Sequence, residues 1–459
     1  MRNNLINELF ESFKREIKNK KIAVIGLGVS NLPLINLLKD NNAKVTVFDK
    51  REKEALKNYE ELLEKGVNFS IGENYLNALV GFDYIFKSPS TRFDLPELEA
   101  ERVRGAIVTS EMEKFFEFCP AKIIAVTGSD GKTTTTTLVY KFIEAEGYGC
   151  HLGGNIGKPL FTELDNIKPD DYVVLELSSF QLNTIKQSPH RAIITNISPN
   201  HLDIHKDYEE YIDSKKNVFK YMDEEGLLIT NYDNDVTKNL DKENKGKTRF
   251  FSRLDNTIDG ITVREGYITV GDEKVVAISD MKLRGVHNIE NLMAAIGVTR
   301  GIVKNDTIIE VVKNFYGVEH RLEFVREVDG VKFYNDSISS SPSRAIAGVN
   351  SFDEKLILIA GGYDKKVPFE MNFSNAMKEH VKKLVLVGAT SDKIEEAVLR
   401  VTSEIEIVKC NTFEEAVVTS KKIAQSGDVV LLSPGSASFD LFKNFEERGN
   451  TFKDIVNRM

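Results

Sequence analysis

A short apolar run, Ile123-Ile124-Ala125-Val126, feeds directly into Thr127-Gly128-Ser129-Asp130-Gly131-Lys132-Thr133, and a stretch carrying Leu138, Val139, Phe142 and Ile143 at helical spacing follows at once. Few features constrain a fold so tightly. A buried strand that breaks into a glycine-rich turn and continues as a helix belongs to a mostly parallel α/β sheet, because the helix must pack back on the sheet to return the chain for the next strand. Val126 stands where the full pattern GxxxxGK[ST] has its first glycine, so the loop is a shortened version. What survives is the anion chemistry. Backbone N–H groups of Gly128, Ser129, Asp130 and Gly131 converge at a helix N-terminus, Lys132 is placed to meet terminal phosphates, and Thr133, with Thr134 beside it, offers a hydroxyl to Mg2+. A chance glycine-lysine turn is the bland alternative, and the flanking strand and helix weigh against it.

The same alternation of apolar runs and helical stretches recurs on both sides. Lys21 to Ile25, Gly26-Leu27-Gly28, a periodic stretch to Leu38 and Val45 to Phe48 read as a Rossmann-type opening, with further strands at Phe82 to Phe86 and Ala106 to Val108. Tyr172 to Leu177, Ala192 to Ile197 and Leu227 to Thr230 continue the central sheet; Arg249 to Ile278 alternates like an antiparallel edge, and Gly285 to Val298 reads as a helix. Lys355 to Ala360, Leu384 to Val387, Glu404 to Val408 and Val429 to Leu432 start a third set. At 459 residues the chain has room for three domains of roughly 150 residues each. The predicted fold is α/β with a Rossmann-like N-terminal domain over residues 1–112, a P-loop mononucleotide-binding central domain over 113–317 and a Rossmann-like C-terminal domain over 318–459.

Charge and cysteine usage narrow the classes. A net charge of -9 with lysines interspersed among acids offers no basic stripe to nucleic acid. Cys119, Cys150 and Cys410 are far apart and form no CxxC pair, which fits a reducing compartment. The polar first twenty residues, with Leu5, Leu9, Phe13 and Ile17 at helical spacing, predict a short amphipathic helix and no signal peptide. No run approaches the ~18 apolar residues of a membrane span. A cytoplasmic protein without membrane insertion is expected, and a monomer.

Glu176 ends the apolar run Val173-Val174-Leu175 and occupies the place where nucleotide enzymes hold an acid to their metal. A buried acid there can equally cap a neighbouring helix. Asn200-His201-Leu202-Asp203 follows another strand and brings His201 to the same carboxyl edge, although a lone histidine after a strand is more often structural. Gly26-Leu27-Gly28-Val29-Ser30-Asn31, with Asp49 further on, resembles a dinucleotide fingerprint with Asn31 at the third glycine position. It suits NAD or the diphosphate of another nucleotide, with Ser30, Asn31, Asp49, Lys50 and Arg51 as polar handles. In the last third, Ser433-Pro434-Gly435-Ser436-Ala437-Ser438 and Gly361-Gly362 with Lys365 are turns able to cradle a carboxylate, or simply solvated βα turns.

Together these segments resemble the Mur ligase family, and within it the D-glutamate-adding branch. The likeness spans nearly the whole chain and rests on Thr127 to Thr134, Gly154-Asn155-Ile156-Gly157, Leu175-Glu176-Leu177-Ser178-Ser179-Phe180-Gln181-Leu182, Asn200 to Asp203, Gly285-Val286-His287-Asn288, Glu319-His320-Arg321-Leu322-Glu323, Asn335-Asp336-Ser337, and Leu432-Ser433-Pro434 through Phe445-Glu446-Glu447-Arg448-Gly449-Asn450. The resemblance implies three domains, for UDP, ATP and amino acid. It implies an amide ligase that phosphorylates the carboxylate of UDP-N-acetylmuramoyl-L-alanine with ATP and lets the amine of D-glutamate displace phosphate. By the same resemblance Lys132 is catalytic, Thr133 and Glu176 serve a first Mg2+, and His201 with a carbamylated Lys215 serves a second. Asn288 and Asn291 then approach adenine, and Arg321 and Asp336 the ATP phosphates and ribose. Ser90, Asn155 and His201 join the UDP-substrate site, and Ser340, Lys365, Ser438 and Phe445 the D-glutamate pocket. Read without the resemblance, Lys215, Lys216 and Lys220 are surface lysines.

The sequence departs from the family at Ile338, where many members have lysine, and at Ser90, where glycine is usual. A ligase for another step is a rival reading, but the folylpolyglutamate type lacks the first Rossmann domain and the L-alanine-adding type favours a Gly-Gly turn where this chain has Gly28-Val29. From outside the family, the first glycine turn admits an NAD-dependent oxidoreductase, and the phosphate loop alone admits a nucleotide switch.

Overall fold

The computed structural model describes residues 2–28, 30–202, 204–283 and 285–459, with side chains from residue 8 onward. It contains three sheets. β1 (Lys21–Ile25), β2 (Lys44–Asp49), β3 (Asn68–Ile71), β4 (Tyr84–Lys87) and β5 (Ile107–Thr109) form a parallel sheet in the order β3-β2-β1-β4-β5. β1 and β4 are the apolar centre, and their buried runs need helices on both faces.

The second sheet holds the phosphate loop. It comprises β6 (Lys122–Thr127), β7 (Cys150–Gly154), β8 (Tyr172–Glu176), β9 (Arg191–Ile194), β10 (Leu227–Asn231), β11 (Lys247–Ser252), β12 (Gly260–Arg264), β13 (Tyr267–Val270) and β14 (Glu273–Ala277), in the order β14-β13-β12-β11-β10-β9-β6-β8-β7. Pairing is parallel from β7 to β12, and only β13 and β14 turn antiparallel. The antiparallel edge expected over Arg249 to Ile278 is therefore confined to β12–β14, while β11 pairs in parallel. β6 lies between β8 and β9, where successive connections leave in opposite directions. Such a reversal opens a crevice at the carboxyl ends of the strands.

The chain packs as two compact units, Met1–Asp280 with Val286–Lys313, and Met281–Gly285 with Asn314–Met459. In the first unit one apolar core runs from the first sheet into the second. Phe10 and Phe13 of the helix Arg2–Glu16 stack with Phe118 and Phe161, at ring separations of 5.2 to 6.2 Å. Each such buried ring contributes on the order of 2 kcal/mol. This corrects the expected helix face. Leu9 is exposed and Phe10 is buried in its place, so the inward stripe is Phe10, Phe13 and Ile17; the side chain of Leu5 lies outside the described residues.

The second unit has the sheet order β15-β16-β20-β17-β18-β19, built from β15 (Glu323–Val328), β16 (Val331–Asn335), β17 (Leu356–Ala360), β18 (Val381–Val387), β19 (Glu406–Cys410) and β20 (Val429–Leu432). All pairs are parallel except the hairpin β15–β16. β17 and β20 are wholly buried and central, as their continuous apolar runs require. Among the described residues no helix is long and apolar enough to cross a membrane.

Candidate active site at the carboxyl edge of the second sheet

Gly131, in the left-handed region at φ +78°, turns the loop into the helix Lys132–Ala145. A side chain there would run into Asn291, whose Oδ1 also accepts from Thr135 Oγ1 at 3.3 Å. The loop is braced from both ends. Ser129 N donates to Asn196 O at 2.9 Å, and Asp130 N to Asn196 Oδ1 at 3.0 Å. Those two amides, expected from sequence to face an anion, are thus engaged by the strand-end residue Asn196. In the first turn of the following helix the backbone amides have no intrahelical acceptor, the geometry that suits an anion. Lys132 Nζ folds over the loop, 2.9 Å from Gly128 O and 2.8 Å from Ser129 O.

Glu176 at the end of β8 is 1% exposed. Its Oε1 accepts from Asn155 Nδ2 at 2.8 Å, while its Oε2 is buried with no hydrogen-bond partner among the described residues. Gly154, at φ +94°, lets the neighbouring strand pass so close to the Glu176 backbone that a Cβ would meet the Glu176 carbonyl, and Asn155 N donates to that oxygen at 2.8 Å. An orphaned buried carboxylate oxygen costs about 1–3 kcal/mol or more, and a cation removes the cost. The helix-cap alternative does not describe Glu176, because the following helix Ser179–Leu182 is capped by Ser178 and Gln181 in a capping box.

Lys215 sits on the helix Tyr208–Lys216 and is as buried as Glu176. Its Nζ donates to Gly128 O at 2.8 Å and lies 4.7 Å from the ring centre of Tyr211. Burial and the nearby Lys132 ammonium lower its pKa to about 7, against the pull of Asp130 and Glu176. Near neutral pH a large share of it is therefore a free amine, the form that adds carbon dioxide. Lys216 pairs with Glu243 and Lys220 is exposed, so of the three lysines only Lys215 leaves the surface.

His201, at φ +55°, places its ring edge-on to Phe180 at 5.2 Å. Asp203 and Val29 lie outside the described residues. His205, which sequence reasoning passed over, is buried: Nε2 is 2.9 Å from Ser179 Oγ, Nδ1 is 3.1 Å from Glu210 Oε1, and its ring stacks on Phe180 at 5.0 Å. Glu210 receives both terminal nitrogens of Arg92 at 3.1 Å, which ties this loop to the one that follows β4. The only signal was a second histidine four residues after His201. Asn288 and Asn291 are buried on the helix Val286–Thr299 and joined by a 3.0 Å bond, directly against the loop.

At the edge of the first sheet, Asn31 is buried and donates to Ile25 O at 3.2 Å and Gly26 O at 2.8 Å. Asp49 accepts from Leu27 N at 2.8 Å and from Arg51 on both oxygens, and these partners hold its carboxyl below the usual range despite burial. Both Asp49 oxygens thus tie the first glycine turn to Arg51. Lys50 and Ser90 are exposed, Ser30 half-buried, and Ser90 Oγ is 3.0 Å from Ser88 Oγ.

In the second unit Asp336 is fully buried, bonded to Ser339, Ser433 and the amide of Leu322. Arg321 beside it is half-buried. Ser340 and Phe445 are half-buried, Ser438 is buried, and Lys365 is exposed with its ammonium 5.7 Å from the ring centre of Phe439. Arg448, buried and missed as a functional residue, donates to Ser337 Oγ and O and to the carbonyls of Ser436 and Ala437, fixing the turn before Ser438.

A phosphate loop, a buried acid short of a partner and a buried lysine near neutrality, gathered at one sheet edge, define a nucleotide-dependent phosphoryl-handling α/β protein. The chain matches the Mur ligase MurD-like N-terminal domain over residues 20–110, the Mur ligase middle domain over 126–299 and the Mur ligase glutamate ligase domain over 320–435. It is 52% identical over 459 residues to a UDP-N-acetylmuramoylalanine–D-glutamate ligase of Clostridium tetani, covering 99% of this chain and 100% of that one. A protein of the same name from Acetivibrio thermocellus is 50% identical over 463 residues, covering 98% and 99%. The fold is also that of UDP-N-acetylmuramate-alanine ligase MurC from Thermotoga maritima, with a TM-score of 0.57 at 17% identity over 96% of this chain and 99% of the other. The chain belongs to the Mur ligase family.

Proposed function

We propose that this chain is the ATP-dependent ligase that joins D-glutamate to UDP-N-acetylmuramoyl-L-alanine, forming ADP and phosphate, in the cytoplasmic synthesis of peptidoglycan precursors. The division into residues 1–112 for the UDP-substrate, 113–317 for ATP and 318–459 for the amino acid follows the three sheets, and the protein acts as a monomer. The observation that carries the reading is the buried, half-satisfied carboxylate of Glu176 at the edge that bears the phosphate loop.

The carboxylate of the alanyl group attacks the γ-phosphorus, the bond to the bridging oxygen breaks, and ADP leaves. The amine of D-glutamate then attacks the acyl carbon, loses its proton, and phosphate departs as the amide forms. Both first reactants are anions, so the site must suppress their repulsion. The amides of Lys132, Thr133 and Thr134 bind the phosphates, and Lys132 follows the charge on the transferred group. Gly128 to Gly131 shape the cradle, and Asn288 and Asn291 border the base. Thr133 and the free oxygen of Glu176 fit one Mg2+, a metal that keeps several waters and takes one or two carboxylates plus phosphate oxygens. His201 and the carbamate of Lys215 fit a second; bound Mg2+ supplies charge neutralisation at the phosphoryl oxygens. Ser30, Asn31, Asp49, Lys50, Arg51, Ser90 and Asn155 hold the UDP-substrate. Ser340, Lys365, Ser438 and Phe445 receive D-glutamate, and Asp336 braces the turn that carries Ser340.

Phosphate release measured with ATP, UDP-N-acetylmuramoyl-L-alanine and a panel of amino acids tests this. Release that requires D-glutamate is the expected result, and release driven by L-lysine or diaminopimelate in its place would sink the assignment.

A further inference from the structure

The first unit contains a second polar cavity, of about 510 Å³, lined by the end of β4, the helices Pro96–Val103 and Glu111–Phe118, and the segment after Leu182. None of the residues assigned above to ATP, the UDP-substrate or D-glutamate lines it. Its inner wall is Lys87, 3% exposed, whose ammonium makes no hydrogen bond or ion pair with any described residue. The acid across the cavity is not a free partner. Glu113 accepts from Thr109 Oγ1 at 3.0 Å on one oxygen and from the Thr184 hydroxyl on the other. A second cation, Arg102, lines the same space, holding Glu99 at 2.8 Å. Burial lowers the pKa of Lys87, with Glu113 opposing and Arg102 adding to the effect. Glu113 gives Lys87 a charged neighbour but both its oxygens are taken by hydroxyls, so the ammonium faces the cavity with no hydrogen-bond acceptor among the described residues, and an oxyanion there would supply one.

We infer that this cavity binds a small oxyanion, a phosphate or a carboxylate, between Lys87 and Arg102, apart from the phosphate loop. Phe116 and Tyr221 limit its size. Asn217, on the cavity wall and two residues beyond Lys215, donates to Leu182 O at 2.9 Å.

The test titrates inorganic phosphate, and separately malonate, into the full chain carrying Lys132→Ala, by calorimetry at constant ionic strength set with chloride. The substitution weakens the phosphate loop, so the outcome does not depend on the ligase reading. Saturable binding at one site is expected, weakened about tenfold or more by adding Lys87→Met and largely kept by Lys87→Arg. Arg102→Gln, on the rim, should weaken it several-fold and decides the matter if Lys87→Met does not fold. Binding of phosphate alone or of malonate alone identifies the source of the anion. No saturable binding of either, or binding untouched by both Lys87→Met and Arg102→Gln, overturns the inference.

Discussion

Glu176 and Asp336 are both buried carboxylates at the carboxyl ends of parallel strands, one ending β8 and the other just past β16, yet they are built for opposite purposes. Asp336 has every oxygen engaged: Ser339 Oγ at 2.5 Å and Ser433 Oγ at 2.8 Å on Oδ2, and Leu322 N at 3.3 Å on Oδ1. Glu176 has one partner and one bare oxygen. A closed set of bonds makes Asp336 a brace for the turn that carries Ser337 to Ser340. An open one makes Glu176 a place for a cation. Burial alone does not mark a functional acid; incomplete satisfaction does.

The contrast can be broken by substitution, and Glu176→Gln should have the largest effect. Removing the charge should lower the rate of phosphate release by roughly 10²–10³-fold, while thermal melting without Mg2+ stays level or rises by about 1 kcal/mol, because an uncompensated charge is gone. A large loss of stability instead would make Glu176 a brace like Asp336. Lys215→Ala comes next. A loss of about 10²-fold is expected, and bicarbonate-depleted buffer should slow the native protein reversibly, restored by added bicarbonate, if the amine carries a carbamate.

Asp336 supplies a pH test. Burial, against its three hydrogen bonds and Arg321, raises its pKa from 3.8 to about 6. The folded state holds the proton more tightly than the unfolded chain, so the contribution of this group to stability is full below about pH 4 and is lost as pH rises through 6. The rise corresponds to about 3 kcal/mol. Asp336→Asn should remove that decline in chemical denaturation measured from pH 4 to 7. An unchanged slope would show that the carboxyl titrates normally. The smallest effect belongs to His205→Gln, which loses the geometry shared by Ser179 and Glu210. Stability should fall by about 1–2 kcal/mol. KM for the UDP-substrate should shift more than kcat, since Glu210 also holds Arg92 from the loop after β4.

Elements whose apolar runs are continuous were plain from sequence, as with β6, β8, β17 and β20, because strands buried on both faces leave no polar interruption. β3, β7 and the hairpin β15–β16 escaped notice. The residues of β3, β7 and β15 are mostly half-buried at sheet edges, and sequences such as Asn68–Ile71 and Glu323–Val328 mix charge with apolar groups. β4 begins at Tyr84 where Phe82 was expected, since Phe82 belongs to the preceding turn and packs against Phe48 at 5.5 Å. Lys132 and Glu176 could be picked out because a loop and a strand end are local patterns. His205 and Arg448 could not, because their partners lie 26 and 111 residues away.

By itself the sequence determined that a shortened phosphate loop ends a buried strand and opens a helix, since that pattern involves neighbours in the chain and demands a parallel sheet around it. Only the tertiary structure decided which amides remain for an anion, because Asn196 takes two of them from a strand 66 residues on. It alone decided which lysine is chemical. Lys215, Lys216 and Lys220 are alike in local sequence, and what separates Lys215 is that its helix lays it beneath Gly128, where burial and Lys132 bring its pKa to about 7.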